Sequence, residues 1–325
     1  MYRALLTIAV GLITIGASYT AEAQTTTRRV GFLSPASPAE MQTRVRAFQD
    51  ELQRLGFAEG QSIVFEFRWA EGRSERLTAL AAELAGLKLD VLVTHGVLAT
   101  TTAERVSTNT PIICSGCGDM VETGLVTNLA RPQGRVTGQT VIGPDMAGKR
   151  IEMMRELLPT VRRVAVLWNP QNPVNGPELK ETEAAAAALG VEVEPVGAST
   201  AQDLDRVFRG IRPGHLDALI VLSDATLYGQ RQRLADLAIE HKIPSLSWSA
   251  EFARAGCLLS YGPDIMALTR RTAFYVSRVL RGAEIRDLPV EQPRQFELAV
   301  NLRTARALGI TVPTLFLARA DEVIE

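Results

Sequence analysis

Hydroxyl, amide and carboxylate side chains recur in this sequence directly after short apolar runs, and that placement gives them chemical meaning. Val30–Leu33 is followed by Ser34, Ala36 and Ser37, Val91–Val93 by Thr94, His95 and Gly96, and Thr110–Cys114 by Ser115, Gly116 and Asp119. In the second half Val164 begins a run into Trp168, Asn169 and Asn172, Ala218–Leu222 leads to Ser223, Asp224 and Thr226, and Pro244–Ser247 leads to Trp248 and Ser249. Tyr261 closes a further run that begins at Cys257. In parallel α/β sheets, ligands sit beyond the carboxyl ends of the strands. The residues so selected supply hydroxyls, amides, loop N–H groups, carboxylates and aromatic walls. They are equipped to hold a small polar organic molecule, with helix N-termini free to meet an anionic group.

Several of these residues have a second role open to them. Ser34, Ser37 and Thr226 are equally good helix N-caps. Asn169 and Asn172 stand beside Pro170 and Pro173, where an amide also shapes a turn. Asp224 can cap the next helix or neutralise a ligand ammonium. His95 can contact ligand or hold a loop by a hydrogen bond, and Asp119 can serve a turn in its glycine-rich segment. Trp168, directly at its strand's exit, is read as a wall of the cleft.

The apolar runs imply an α/β chain that states its plan twice. Arg28-Arg29-Val30-Gly31-Phe32-Leu33 is echoed by Arg162-Arg163-Val164-Ala165-Val166-Leu167, and Leu55-Gly56 by Leu189-Gly190. Helical spacing of Val45, Phe48, Leu52 and Leu55, then of Leu77, Leu80, Leu84 and Leu87, alternates with the strands. That order predicts parallel sheets covered by helices with right-handed crossovers. The reading is two Rossmann-like lobes: residues 24–143 with 263–290 packing back, and residues 144–262 with 291–325 returning. Gly143 and Pro144, then Gly262 and Pro263, are the expected hinge positions, and Pro289 and Pro293 frame a third crossing.

The chain has 325 residues, a formal net charge of −1, 46% apolar and 22% charged residues, so it reads as globular. No basic face or stripe points to nucleic acid. Arg3 followed by the apolar run Ala4–Ala17 and by Ala21-Glu22-Ala23 fits a cleavable export signal cut after Ala23. The product is expected in the periplasm if the source is Gram-negative, and nothing in the sequence demands more than a monomer. No dinucleotide fingerprint, phosphate loop, zinc-protease motif or nucleophile elbow occurs, so no enzyme and no cofactor is expected. Cys114 and Cys117 form a C-x-x-C, yet Cys114 ends an apolar run rather than opening a helix. These cysteines are read as structural or incidental, with Cys257 unpaired. His95, His215 and His241 show no metal-ligand spacing.

Leu129-Ala130-Arg131-Pro132 with Val136-Thr137-Gly138, Ala147-Gly148-Lys149-Arg150, Val166-Leu167-Trp168-Asn169-Pro170, Ser260-Tyr261-Gly262-Pro263 and Leu317–Val323 occur in order along the chain. Glu59-Gly60-Gln61 and Arg68-Trp69-Ala70-Glu71-Gly72 precede them. Together these strings resemble the ABC-transporter substrate-binding family that includes tryptophan- and phenylalanine-binding members. The resemblance implies the type I periplasmic binding-protein fold, with a three-segment hinge that closes on ligand, and an ABC permease as partner. Gly118-Asp119-Met120 stands where that family usually has Gly-Asp-Pro, and Cys114 and Cys117 replace residues usually small or apolar there. The ligand expected is therefore a small polar molecule, an amino acid or related organic acid. A sensory subunit presenting its ligand to a membrane receptor or kinase is the alternative. An exported enzyme using Asp119, His95 or Asp224 as acid and base is a third reading.

Overall fold

The computed structural model describes residues 27–141, 146–212 and 214–325. The export signal, its cut after Ala23, and Gly143 and Pro144 lie outside the described residues. The first half builds β1 (Arg28–Ser34), α1 (Pro38–Arg54), β2 (Ile63–Trp69), α2 (Leu77–Ala85), β3 (Val91–His95), α3 (Gly96–Val106), β4 (Ile112–Cys117) and β5 (Val136–Thr140). Its strands pair in parallel in the order β2-β1-β3-β4-β5. The strands are Val-, Ile- and Phe-rich because helices cover both faces of such a sheet. Val30, Phe32 and Val93 pack with α1 on one face, and Leu33, Leu92 and Ile112 pack with α2 and α3 on the other.

β4 runs beyond the apolar stretch that announces it and carries Ser115 and Gly116 inside the strand. Its register against β5 shifts between Cys114 and Cys117, whose sulfurs are joined in a disulfide. Gly138 of β5 lies against this bulge, where a Cβ would collide with the Cys114 carbonyl, so only glycine fits.

The second half contributes α4 (Met146–Leu157), β6 (Arg163–Trp168), α5 (Asn175–Ala188), β7 (Glu192–Gly197), α6 (Ala201–Gly210), β8 (Ala218–Val221), α7 (Ala225–Gly229), α8 (Arg231–Glu240), β9 (Ser245–Ser247), α9 (Ala250–Ala255) and β10 (Leu259–Pro263). Then come α10 (Ile265–Leu280), β11 (Phe296–Asn301), α11 (Leu302–Leu308), α12 (Thr314–Leu317) and β12 (Glu322–Ile324). The second sheet has the order β12-β11-β10-β9-β8-β6-β7, and β10 with β11 is its antiparallel pair. Two α/β units with parallel-dominated sheets make up the fold.

α10 leaves the second sheet to pack on α1 and β4 of the first unit. Its Thr272 hydroxyl donates to Gln139 Oε1 at 2.8 Å. The chain then lies beside β5, where Thr140 N donates to the Glu291 carbonyl at 2.9 Å, before returning at Phe296. Gly262 and Pro263, the expected hinge positions, are the last residues of β10. They are paired with Glu297 and Phe296 within β10, and the chain leaves that sheet only at Asp264, which caps α10. A Cβ at Gly262 would collide with the Trp248 carbonyl, so this glycine serves a close approach of two strands' ends.

Candidate ligand-binding site

In both sheets the order in which strands are added reverses at the first-laid strand, β1 or β6, and the segment after β3 of the first sheet meets the segment after β8 of the second. The approach is close. A Cβ on Gly96 would stand 3.0 Å from that of Ala225, at a φ of 80° that already favours glycine. Two small cavities lie in this seam, each with room for little more than a water molecule. The first is lined by His95, Gly96, Val97, Gly116, Gly118, Val141, Asn172, Val174, Ser223, Asp224, Ala225 and Trp248. The second is lined by Arg44, His95, Ser115, Gly116, Val141, Trp248, Ile265, Leu268 and Thr269. They share His95, Gly116, Val141 and Trp248, and so lie on either side of a common wall.

Asp224 is the charged group of the first cavity. It caps α7, accepting from Leu227 N at 2.7 Å through Oδ1, while Oδ2 accepts from Asn172 Nδ2 at 2.9 Å and Asn169 Nδ2 at 3.1 Å. Every one of these donors is neutral. Burial pushes the carboxyl pKa up, and the hydrogen bonds only partly oppose it. A buried carboxylate with neutral donors alone is short of positive charge, and a bound ammonium would supply it.

The second cavity has opposite electrostatics. Arg44 of α1 and Glu251 of α9 form a buried ion pair across the seam, with Arg44 Nε 3.1 Å from both carboxylate oxygens. The Arg44 guanidinium lies 3.7 Å from the Tyr228 ring centre, and the Tyr228 hydroxyl donates to Glu251 Oε1 at 2.8 Å. Burial opposes charge on both partners, but their mutual attraction outweighs it: Arg44 is held above its ordinary pKa and Glu251 below. His95 completes the cluster. Burial first, and the Arg44 charge second, lower its pKa to about 3, so the imidazole is neutral at ordinary pH. Arg44 Nη1 lies 3.3 Å from His95 Nε2 and can only donate, so Nε2 is the acceptor. Nδ1 therefore carries the proton and donates to Ser34 Oγ at 3.2 Å.

A second buried pair supports the loop that bears Asp224. Arg150 of α4 meets Glu178 of α5 at 3.1 Å, and Glu178 Oε2 accepts from Ser223 N at 3.2 Å. Asn175 Nδ2 donates to the Ser223 carbonyl at 3.0 Å. This framework uses both backbone groups of Ser223 and leaves its hydroxyl, like the indole N–H of Trp248, buried without a partner among the described residues.

The structure brings His95, Gly96, Ser115, Gly116, Asn172, Ser223, Asp224 and Trp248 to the cavity walls. Asn169 stands one bond behind, on Asp224, and Ser34 stands behind His95. Ser37 is spent in a capping box with Glu40, and Ala36 packs beside Gly229. Thr94 bonds Thr100 inside the first unit at 2.7 Å, while the Thr226 and Ser249 hydroxyls are buried outside both cavities. Three residues fall elsewhere than expected. Trp168 packs with the helix-side core of the second sheet, Tyr261 stacks on Phe296, and exposed Asp119 caps a turn through Val121 N and Glu122 N. Arg44, Tyr228 and Glu251 had no signal in the sequence, because they sit within helices rather than at strand ends. The sequence model for ABC transporter substrate binding proteins matches residues 29–324. The chain belongs to the ABC transporter substrate-binding protein family.

Relatives agree with that placement. A tyrosine-binding protein of Clostridioides difficile is 24% identical over 266 residues, which span 82% of this chain and 76% of that one. A conserved domain protein from Vibrio cholerae is 26% identical with a TM-score of 0.84, over 91% of this chain and 99% of its own. An ABC domain from Streptococcus pneumonia, in complex with L-Trp, shares the fold at 23% identity and a TM-score of 0.84, over 92% of this chain and 100% of its own. The fold is the type I periplasmic binding-protein fold, and the family is one of substrate-binding proteins.

Proposed function

We propose that this substrate-binding protein captures a small ligand carrying an ammonium group, an amino acid or a close relative, in the seam between its two α/β units and delivers it to an ABC permease. The observation that carries the reading is Asp224: a buried carboxylate on a cavity wall whose partners are all neutral. The tyrosine-binding relative and the L-Trp complex in the same fold support the same ligand class. The lobes are taken as residues 24–143 with 263–290, and 144–262 with 291–325. Closure stabilises the ligand by contacts to both, a population shift rather than a chemical step. Cleavage of the signal-like start after Ala23 would leave a mature chain from Gln24 outside the cytoplasmic membrane, in the periplasm if the source is Gram-negative.

The test is a thermal-shift screen of the chain from Gln24, unfolded and refolded to remove carried ligand, against amino acids, organic acids, sugars and nucleosides. A ligand at about a hundred times its Kd adds roughly 2.7 kcal/mol to stability. A selective shift by amines supports the reading. Shifts only with sugars or with acids that lack an amine would overturn the ligand class.

A further inference from the structure

We propose that the Cys114–Cys117 disulfide is a thiol–disulfide exchange site at the seam: a dithiol reaches it only when the two units part, and its reduction loosens the contact between them. The proposal rests on the opening and closure of the units put forward above, and on no particular ligand. The link joins cysteines only 3 apart in sequence. Closing so short a loop constrains the unfolded chain little, so the bond does more to shape the local backbone than to stabilise the whole fold. What it shapes is a bulge. From Cys114 to Cys117 β4 advances three residues while its partner β5 advances two, from Gly138 to Thr140.

The bulged segment carries contacts of the first unit across the seam. Ser115 and Gly116 line the seam cavities, and Ser115 Oγ accepts from Thr272 of α10 at 3.1 Å. Gly118 lies against Val174, just before α5 of the second unit, so closely that a Cβ there would stand 2.7 Å from both Val174 methyl carbons. Both cysteines are fully buried, and Val174 packs in one apolar cluster with Cys114, Cys117 and Met120. A residue of the second unit thus helps to cover a bond of the first. On the inner side stands Thr100 of α3, its hydroxyl 3.1 Å from Cys114 Sγ and 3.6 Å from Cys117 Sγ, where it can donate to a sulfur that becomes a thiolate. Neither cysteine opens a helix, so the pair is suited to receive exchange rather than to catalyse it.

In the exchange a thiolate of the incoming dithiol attacks Cys117 Sγ, at the seam end of β4, forming a mixed disulfide and releasing Cys114 as a thiolate. The second thiol then attacks the dithiol's own sulfur in the mixed disulfide and releases Cys117. The dithiol is oxidised to a disulfide, the protein bond is reduced, and the dithiol's two protons end on the two cysteines. Without the link, β4 is free to regularise its pairing with β5 and to withdraw Gly118 from Val174.

The experiment treats the oxidised chain from Gln24 with dithiothreitol in the absence of denaturant, quenches with iodoacetamide, and assigns the alkylated cysteines by peptide mass spectrometry. Exchange that waits on opening follows the population of the open form. Glu251→Gln removes the ion pair across the seam and should speed reduction by about tenfold or more. Val174→Ala thins the cover and should speed it by a few-fold. Melting curves of both variants show that the fold is kept. Solution scattering of the reduced parent should give a larger radius of gyration than the oxidised one, and Cys114→Ser/Cys117→Ser should match the reduced form. Reduction only at urea concentrations that unfold the chain overturns the exchange site, as do equal rates in the parent and both variants. A scattering curve unchanged by reduction overturns the bond's hold on the seam. Ligand capture is read separately by the thermal shift, so either failure leaves that reading standing.

Discussion

Glu251 and Asp224 are carboxylates at the same seam, the first part-buried and the second buried, yet their pKa values move in opposite directions. Glu251 has a guanidinium within hydrogen-bond reach and a phenol donating to it, and its pKa falls below the usual range. Asp224 has two amides and a backbone N–H, and its pKa rises. The difference is the formal charge of the partner. A compensated pair can hold two surfaces together, while an uncompensated carboxylate is a place for something else to bind. On the proposed reading, the first cluster would latch the seam and the second would receive the ligand.

The largest effect expected of that comparison comes from Glu251→Gln. Arg44 would be left buried and unpaired, a loss of about 3–5 kcal/mol. Opening the seam returns Arg44 to water at lower cost than unfolding. Ligand affinity should therefore drop by about a hundredfold or more while the melting temperature changes modestly. Calorimetry and solution scattering check this, and a compact variant with parental affinity would remove the latch from the argument. Asp224→Asn keeps an N-cap but loses the charge, so it should cost an amine about ten- to a hundredfold in affinity with the ligand-free stability maintained or raised. A collapse of stability instead would make Asp224 structural and erase the contrast.

The two carboxylates also predict opposite pH signatures in the ligand-free protein. Asp224 has a raised folded pKa, so between its unfolded value of 3.8 and that folded value the native chain holds a proton that the unfolded chain releases. Its contribution makes stability fall as pH rises through that window. Glu251 has a lowered folded pKa, so its contribution is present above the unfolded value of 4.5 and is lost as pH falls through the folded value. His95 adds in the same sense as Glu251, since its neutral buried ring loses stability for the fold as pH drops from 6.5 toward about 3. Urea melts of the parent, Asp224→Asn, Glu251→Gln and His95→Asn between pH 3 and 8 separate these. Loss of the same pH-dependent component in both carboxylate variants would contradict the assignment.

Smaller effects distinguish the two tryptophans and the disulfide. Trp248→Ala should weaken ligand binding, whereas Trp168→Ala should cost stability and leave Kd nearly unchanged, because Trp168 packs in the second core outside both cavities. Titration of both variants checks this, and equal affinity losses would put Trp168 back in the site. Breaking the Cys114–Cys117 link with Cys114→Ser/Cys117→Ser should loosen the Ser115–Gly116 segment it spans and weaken binding by a few-fold. An unchanged Kd would make the link a purely structural feature.

Strand positions were legible in the sequence because a parallel strand covered on both faces must be a continuous apolar run, and such runs end where the chain meets the cleft. That rule selected His95, Ser223, Asp224 and Trp248, which line the first cavity, and the duplicated runs implied the paired α/β plan. Helix Ile265–Leu280 was readable to its ends because its amphipathic spacing is long and capped by Asp264. Short helices are different. α7 and α9, five and six residues long, carry too little periodicity to announce themselves, and they hold Tyr228 and Glu251. Local apolar pattern was sufficient for the α/β architecture, for the strand exits and for a carboxylate among them. It could not say that Arg44 meets Glu251, 207 residues away, or which tryptophan faces the cavity. Both outcomes depend on how two separately folded sheets dock, and nothing local along the chain encodes that geometry.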